Sequence, residues 1–116
     1  MNFDFSKLPS ADAFKLLSSV VVPRPIAWVV SQSPQGARNA APFSFFNVVS
    51  SDPPIVALGI GPRGGQLKDT SRNILQTRQF VINLVSAELA EQMNHTSLDY
   101  DAGIDELARA GLATEP

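Results

Sequence analysis

The chain has 116 residues and a formal net charge of −2, with 44% apolar and 17% charged residues. This composition permits a buried core, predicts one domain over residues 1–116, and argues against a nucleic-acid binder that relies on bulk positive charge. The absence of cysteine excludes disulfides, thiolate catalysis and cysteine-ligated metals. The N-terminus has no signal-peptide pattern and no apolar run approaches membrane-spanning length, so we expect a cytoplasmic protein without a membrane partner.

Charge is unevenly distributed along the chain. Between residues 24 and 78, six arginines and lysines accompany two aspartates, whereas after residue 86 seven acids accompany one arginine. A basic middle suits a small anionic ligand, and solvated surface arginines are the alternative explanation.

The first forty residues predict a helix followed by a strand and a turn. Ser10 is a candidate N-cap for a helix over ADAFKLLSSV, which must end before Pro23. IAWVVS predicts a strand that is apolar on both faces and therefore requires burial on both sides. SPQG at residues 33–36 has the pattern of a type I turn, which makes this strand the first half of a hairpin.

The next segment predicts the rest of the hairpin and a further strand. We place the second hairpin strand within residues 39–50 and expect Pro42 to interrupt it, because proline has no N–H for the strand ladder. SSDPP breaks the chain, IVALGI forms the next strand, and GPRGG forms a flexible loop.

Short helices dominate the second half. DTSRNILQT predicts a helix opened by Asp69, Thr70 or Ser71, and FVINLV predicts a strand. Ser86 is a candidate cap for a helix over AELAEQMN. Asp105 is a candidate cap for a helix over ELARA that Gly111 ends. These elements indicate antiparallel strands with short helices between them.

No residue pattern indicates a catalytic group or a metal site. His95 is the only histidine and lies in a polar stretch without further ligands at metal-binding spacing. The nucleophile-elbow, dinucleotide-binding and P-loop patterns are absent. If the protein is an enzyme, a cofactor must supply the chemistry.

Two segments are candidates for ligand binding. LKDTSRN combines Lys68, a helix N-terminus and the hydroxyl of Thr70, which suits a phosphate-sized anion. The alternative there is an ordinary helix capped by Asp69. NAAPFSFFN places Ser44 and Asn47 among aromatic rings and a proline, which suits a planar heteroaromatic ligand. The alternative for this segment is a strand of the core.

Four segments, taken in order, resemble the flavin reductase-like family of FMN-binding split-barrel proteins, which includes flavoredoxin. They are VPRPIAWVVSQSPQGARNAAPFSFFNVVSSDPPIVALGI, KDTSRNI, FVINLVS and GIDELARAGL. The resemblance extends from about Leu8 to the end of the chain. It implies a mainly β fold, a split antiparallel β-barrel of six strands with Greek-key connections and short peripheral α-helices. Chains of this family continue further, so we expect the barrel to be incomplete here, with its C-terminal strands missing.

The resemblance also implies a flavin site. Residues expected along the flavin ring and ribityl chain are Ala41, Pro42, Phe43, Ser44 and Asn47. Lys68, Asp69 and Thr70 are expected at the phosphate, with Asp69 also capping the helix. Arg24 and Arg63 are further candidates for phosphate or nicotinamide contacts.

The activity that the resemblance implies is hydride transfer from NADH or NADPH to bound FMN. The protein would be a homodimeric FMN-binding oxidoreductase that passes electrons to oxygen, a monooxygenase partner or another acceptor. Two alternatives remain open: a flavin-binding carrier or electron-transfer protein without reductase turnover, and a non-catalytic oligomerisation module. The sequence does not distinguish NADH from NADPH, because no Rossmann unit is present.

Overall fold

The computed structural model describes residues 1–98, 100, 101 and 104–115. In chain order the elements are α1 (Ser10–Val20), β1 (Ala27–Gln32), β2 (Arg38–Phe43), β3 (Phe46–Ser51), β4 (Pro54–Leu58), α2 (Asp69–Thr77), β5 (Val81–Asn83), α3 (Ala90–His95) and α4 (Glu106–Arg109), with a 3₁₀ helix at Ala87–Leu89 before α3. None of the helices in these ranges is both long enough and apolar enough to cross a membrane.

The strands form two antiparallel sheets. One contains three strands in the order β2-β1-β5, and the other is the hairpin of β3 and β4. The predicted combination of antiparallel strands with short helices is confirmed. Within the described ranges the two sheets do not close into a barrel.

β1 is buried because it lies between two neighbouring strands and has apolar side chains on both faces. Ala27 and Val29 are fully buried on one face, and Trp28 is buried on the other. The indole Nε1 of Trp28 donates to the hydroxyl of Thr96 at 2.9 Å, which satisfies its polar atom. The prediction of two-sided burial for this strand is confirmed, although Ile26 lies outside it.

Pro42 does not interrupt the second hairpin strand, contrary to prediction. It lies inside β2 opposite Trp28, and the break comes later, at Ser44 and Phe45. β2 is the edge of its sheet, so a proline nitrogen facing outward removes no ladder hydrogen bond. The nitrogen of Ala40, two residues earlier, also faces this edge and donates to Glu106.

The core lies between the two sheets. Ala27, Val29 and Phe43 form its buried centre. Five partly buried apolar residues pack against this centre: Ala41, Phe46, Leu58, Ile60 and Ile82.

One predicted helix start, one capping side chain and one strand length differ from the structure. The N-cap of α1 is Pro9, whose carbonyl accepts from Asp12 and Ala13, so Ser10 is helical and not the cap. Ser86 is the N-cap residue of the 3₁₀ helix, as predicted, but its side chain makes no capping hydrogen bond. Of the strand predicted over FVINLV, only Val81–Asn83 forms β5, which pairs with β1 at three positions.

Both ends of α4 are as predicted. Asp105 is its N-cap and accepts from the backbone N–H groups of Leu107 and Ala108 at 3.0 and 3.2 Å. Gly111 follows in the left-handed region with φ 69°. The N–H of Leu112 reaches the carbonyl of Leu107, and that of Gly111 reaches Ala108, which is the Schellman pattern.

Candidate functional site

The N-terminus of α2 presents uncapped backbone N–H groups. Its N-cap, Lys68, is extended and makes no side-chain capping hydrogen bond. Asp69 was expected to cap the helix, but it is the first helical residue, and its Oδ1 pairs with Nη1 of Arg72 at 2.5 Å. Helix N–H groups without an intrahelical acceptor carry partial positive charge, so this end of α2 is suited to an anion.

Buried polar contacts fix α2 against the three-stranded sheet. The Thr70 hydroxyl, 2% exposed, accepts from Nδ2 of Asn39 on β2 at 2.8 Å. One turn later, Nδ2 of Asn73 donates to the hydroxyl of Ser31 on β1 at 3.2 Å. Because these side chains are buried, losing either partner would leave an unsatisfied polar group, and the start of α2 is therefore held in one position.

A cavity of about 240 Å³ lies between the edge strand β2 and the start of α2. It brings together seven residues predicted for the site: Ala41, Pro42, Phe43, Arg63, Lys68, Asp69 and Thr70. β2 can contribute from both its faces because no strand of its sheet covers its outer edge. The cavity therefore has an apolar wall on one side and a cationic helix start on the other.

The Lys68 ammonium joins these two walls. Its Nζ lies 5.7 Å from the centre of the Phe43 ring, within the range of a cation–π interaction. Arg63 lines the same cavity from the glycine-rich loop, where its backbone pairs with Gln66. Two cationic side chains and free helix N–H groups thus surround a space of phosphate scale.

Three of the predicted residues lie elsewhere. Arg24, Ser44 and Asn47 line a second, more apolar cavity of about 350 Å³ near the C-terminal end of α1. Arg24 donates from Nη1 to the carbonyls of Ser18 and Val21, and from Nε to the hydroxyl of Ser44. Its guanidinium also lies 5.5 Å from the Phe45 ring centre. In this chain, Arg24 joins α1 to the segment after β2.

Asn47 is exposed on β3, and its Oδ1 accepts from the neighbouring N–H of Val48 at 2.8 Å. It faces Ala57 across the hairpin and is not among the residues around the first cavity.

The cavity also contains residues that sequence reasoning missed. Glu106 on α4 lines it and is only 8% exposed. Asn39, Gln66, Arg72 and Tyr100 are further lining residues. In the sequence, Glu106 stands out only because it directly follows the Asp105 cap. That position predicts an acid in the first turn of a helix, and it does not indicate a ligand.

Burial raises the pKa of Glu106 above its usual value of 4.5. Hydrogen bonds from its own backbone N–H and from the Ala40 N–H, which donates to Oε2 at 3.2 Å, oppose the shift, and the nearby carboxylates of Asp69 and Asp105 add to it. A buried carboxyl with a raised pKa at the wall of a cavity is a candidate functional group. Within the described ranges, no cluster of three His, Asp or Glu side chains could hold a metal ion.

Comparison with known proteins identifies the family of this fold. The model of the flavin reductase like domain family matches residues 18–116. The uncharacterised protein YwrF of Bacillus subtilis strain 168 is 43% identical over 110 residues. This alignment covers 95% of this chain and 54% of YwrF. The chain belongs to the flavin reductase-like family, and it spans a little more than half the length of such curated relatives.

Solved structures agree with this membership. Nitrilotriacetate monooxygenase component B from Bacillus cereus superposes with a TM-score of 0.89 at 30% identity, covering 96% of this chain and 55% of that one. The 2-nitrobenzoate 2-nitroreductase NbaA of Pseudomonas fluorescens superposes with a TM-score of 0.86 at 34% identity, covering 100% of this chain and 55% of that one. A Shewanella frigidimarina flavin reductase structure with a split barrel domain gives 0.80 at 26%, covering 100% and 58%. The strands and helices described above therefore have a split-barrel arrangement.

Proposed function

We propose that this chain binds FMN and acts in an NADH- or NADPH-dependent flavin oxidoreductase. The observation that carries the proposal is the convergence of Lys68, Thr70 and the Ala41–Phe43 segment on one cavity in a member of the flavin reductase-like family. These segments are far apart in sequence, and the fold brings a cationic end and an apolar wall together.

The donor set fits the phosphate end of FMN. Lys68 supplies an ammonium, α2 supplies backbone N–H groups, and the Thr70 hydroxyl can donate while it accepts from Asn39. The cavity volume of about 240 Å³ lies below the roughly 300–1,000 Å³ of sites that enclose whole drug-sized ligands. We therefore assign the cavity to the phosphate and adjoining ribityl chain, and place the ring against Ala41, Pro42 and the surface beyond them.

The residues of this chain would bind the FMN, orient it and shield it from water. Lys68 would neutralise the phosphate, and Phe43 would hold the Lys68 ammonium in place by the contact described above. Ala41 and Pro42 would form a dry wall that keeps water from the reacting face. A bound FMN would supply the redox chemistry, accepting a hydride from a reduced nicotinamide and passing electrons onward.

Assembly is part of the proposal. We propose a homodimer, and the similarity to a monooxygenase component B supports a monooxygenase or comparable acceptor as the recipient of the electrons. Valines 48 and 49 and Ile55 on the β3–β4 hairpin are exposed apolar side chains, as expected of a surface that a second subunit covers.

The proposal is tested on the purified full chain by three measurements. FMN titration reports binding, the disappearance of NADH or NADPH absorbance with FMN present reports turnover, and light scattering reports assembly. We expect FMN binding, nicotinamide oxidation that depends on FMN, and a dimer. FMN binding without oxidation would indicate a carrier or electron-transfer protein. Assembly without flavin binding would indicate an oligomerisation module and overturn the proposal.

A further inference from the structure

Glu106 is a buried acid that lines the cavity. It lies at the start of α4, and its Oε2 accepts from the Ala40 N–H at the open edge of β2. Its carboxylate also accepts from its own backbone N–H, and within the described ranges it forms no salt bridge. A buried carboxylate normally has a paired cation, and Glu106 has none among the described residues.

The surroundings of Glu106 are both acidic and basic. The charged and titratable groups on the elements around it are Arg38 on β2, Arg63 on the loop, Lys68, Asp69 and Arg72 at α2, Tyr100 after α3, and Asp105 beside it. Arg38 is held by Asp105 at 2.7 Å, and Arg72 is held by Asp69. Two of the cations near Glu106 are therefore already engaged with other acids.

A phosphate dianion in this cavity would meet a carboxylate as well as Lys68. Two like charges at close range are unfavourable, and one proton between them turns the repulsion into a hydrogen bond. The pKa of Glu106 is raised by burial, so protonating this carboxyl costs less than protonating an exposed one.

We propose that Glu106 and the phosphate of a bound mononucleotide share one proton, so that the cavity takes up a proton from solvent when the ligand binds. This inference rests on the proposed FMN site. One ionised Glu106 carboxylate, one phosphate dianion and one proton from the solvent combine. The product is one complex in which an O–H···O hydrogen bond joins the two groups. Glu106 thereby selects a ligand anion that can carry a proton, such as a phosphate monoester.

The proton is measured directly in the wild-type chain. Calorimetric titration with FMN at about pH 8, in buffers with different ionisation enthalpies, gives the number of protons exchanged, since a free phosphate monoester with a second pKa near 6 is a dianion there. We expect uptake approaching one proton for FMN and none for riboflavin, which has no phosphate.

A variant assigns the proton to Glu106. In the wild type, FMN affinity should fall by up to about tenfold per pH unit where both free groups are ionised. In Glu106→Gln the fall should disappear and FMN should bind more tightly than wild type at about pH 9, because the amide cannot ionise. Glu91→Gln, which changes an exposed acid on α3, is the matched control and should behave as wild type.

Each outcome has a separate meaning. Failure of the chain to bind FMN at any pH overturns the proposed function. Binding of FMN without proton uptake in the wild type overturns the role of Glu106 alone. The same pH dependence in Glu106→Gln and wild type also overturns that role. If the variant does not fold, the wild-type calorimetry still decides.

Discussion

At the scale of single residues, Glu106 and Asp105 show how adjacent acids acquire opposite properties. Burial would raise the pKa of Asp105, but hydrogen bonds from Arg38 and from the backbone N–H groups of Ala108 and Leu107 lower it overall. Burial of Glu106 outweighs the hydrogen bonds from its own backbone N–H and from the Ala40 N–H, so its pKa is raised. Asp105 thus stabilises the fold as an anion, and Glu106 does so best when neutral.

The signs of these shifts predict how stability depends on pH. The contribution of Asp105 is present above its unfolded pKa of about 3.8 and is lost as pH falls through its lowered folded value. Ionised Glu106 is unfavourable in the fold. Stability is therefore lost as pH rises from its unfolded pKa of about 4.5 through its raised folded value.

Replacing Glu106 by Gln should stabilise the free protein at about pH 8 and have a smaller effect at about pH 4, where the acid is already neutral. The amide oxygen can still accept from the Ala40 N–H. Urea denaturation at both pH values measures the difference, with Glu91→Gln as the control. Equal effects at the two pH values, or destabilisation at about pH 8 only, would contradict the assigned state of Glu106.

Sequence reasoning at this scale found residues with local signals and missed those defined by distant contacts. Lys68, Thr70 and Phe43 belong to quoted segments, and all three lie at the cavity. The ligand contact expected of Arg24 stays a prediction, and in the structure this side chain hydrogen-bonds carbonyls near the end of α1. Glu106 reaches β2 across 66 positions of sequence, and no local pattern records such a contact.

At the scale of elements, α2 and α4 position the cavity from opposite directions. α2 is fixed by the Asn39–Thr70 and Asn73–Ser31 hydrogen bonds, and α4 is fixed by its Asp105 cap and by the Arg38 ion pair. A short helix such as α4 has little intrinsic stability, so its caps and tertiary contacts determine whether it forms.

Gly111→Ala should destabilise the protein by about 1 kcal/mol, because the Schellman motif after α4 requires the left-handed φ that alanine disfavours. Gly61→Ala is the control, since its Cβ would enter open space and its φ is not left-handed. Its effect on unfolding should stay within about 0.5 kcal/mol. Urea denaturation compares the two, and equal losses would argue against the cap.

The ends of α4 and the turn after β1 were predictable because they depend on adjacent residues. Asp105 and Gly111 bound α4 as expected, and Ser33 to Gly36 form a turn closed by a 2.9 Å hydrogen bond. The break between β2 and β3 was misplaced, because whether Pro42 ends a strand depends on which edge of the sheet its nitrogen faces. That edge is set by the pairing with β1, a property of the whole sheet.

At the scale of the whole molecule, the chain is less compact than its length suggests. Its radius of gyration is 15.7 Å, against about 13.4 Å expected for a compact 116-residue domain. The apolar side chains of the β3–β4 hairpin and Leu84 remain exposed. The proposed homodimer gives these surfaces a partner, and it also provides a surface on which the ring of a ligand larger than the cavity could lie.

The family membership was predictable from the order and spacing of the sequence segments, and the match over residues 18–116 confirms it. The electron donor and acceptor were not predictable. The chain has no Rossmann unit, and the chemistry of a flavin enzyme depends on surfaces built from more than one segment.

The central claim is that Lys68 and the start of α2 hold the phosphate of FMN, and parallel titration with FMN and riboflavin tests it most directly. Lys68→Ala should weaken FMN binding by roughly 10- to 100-fold, the range expected for losing a charge-assisted hydrogen bond, and leave riboflavin affinity unchanged. Lys15→Ala, which removes an exposed lysine of α1, should have no effect. Wild-type chain that binds FMN and riboflavin equally, or a Lys68→Ala variant that retains wild-type FMN affinity, would contradict the account.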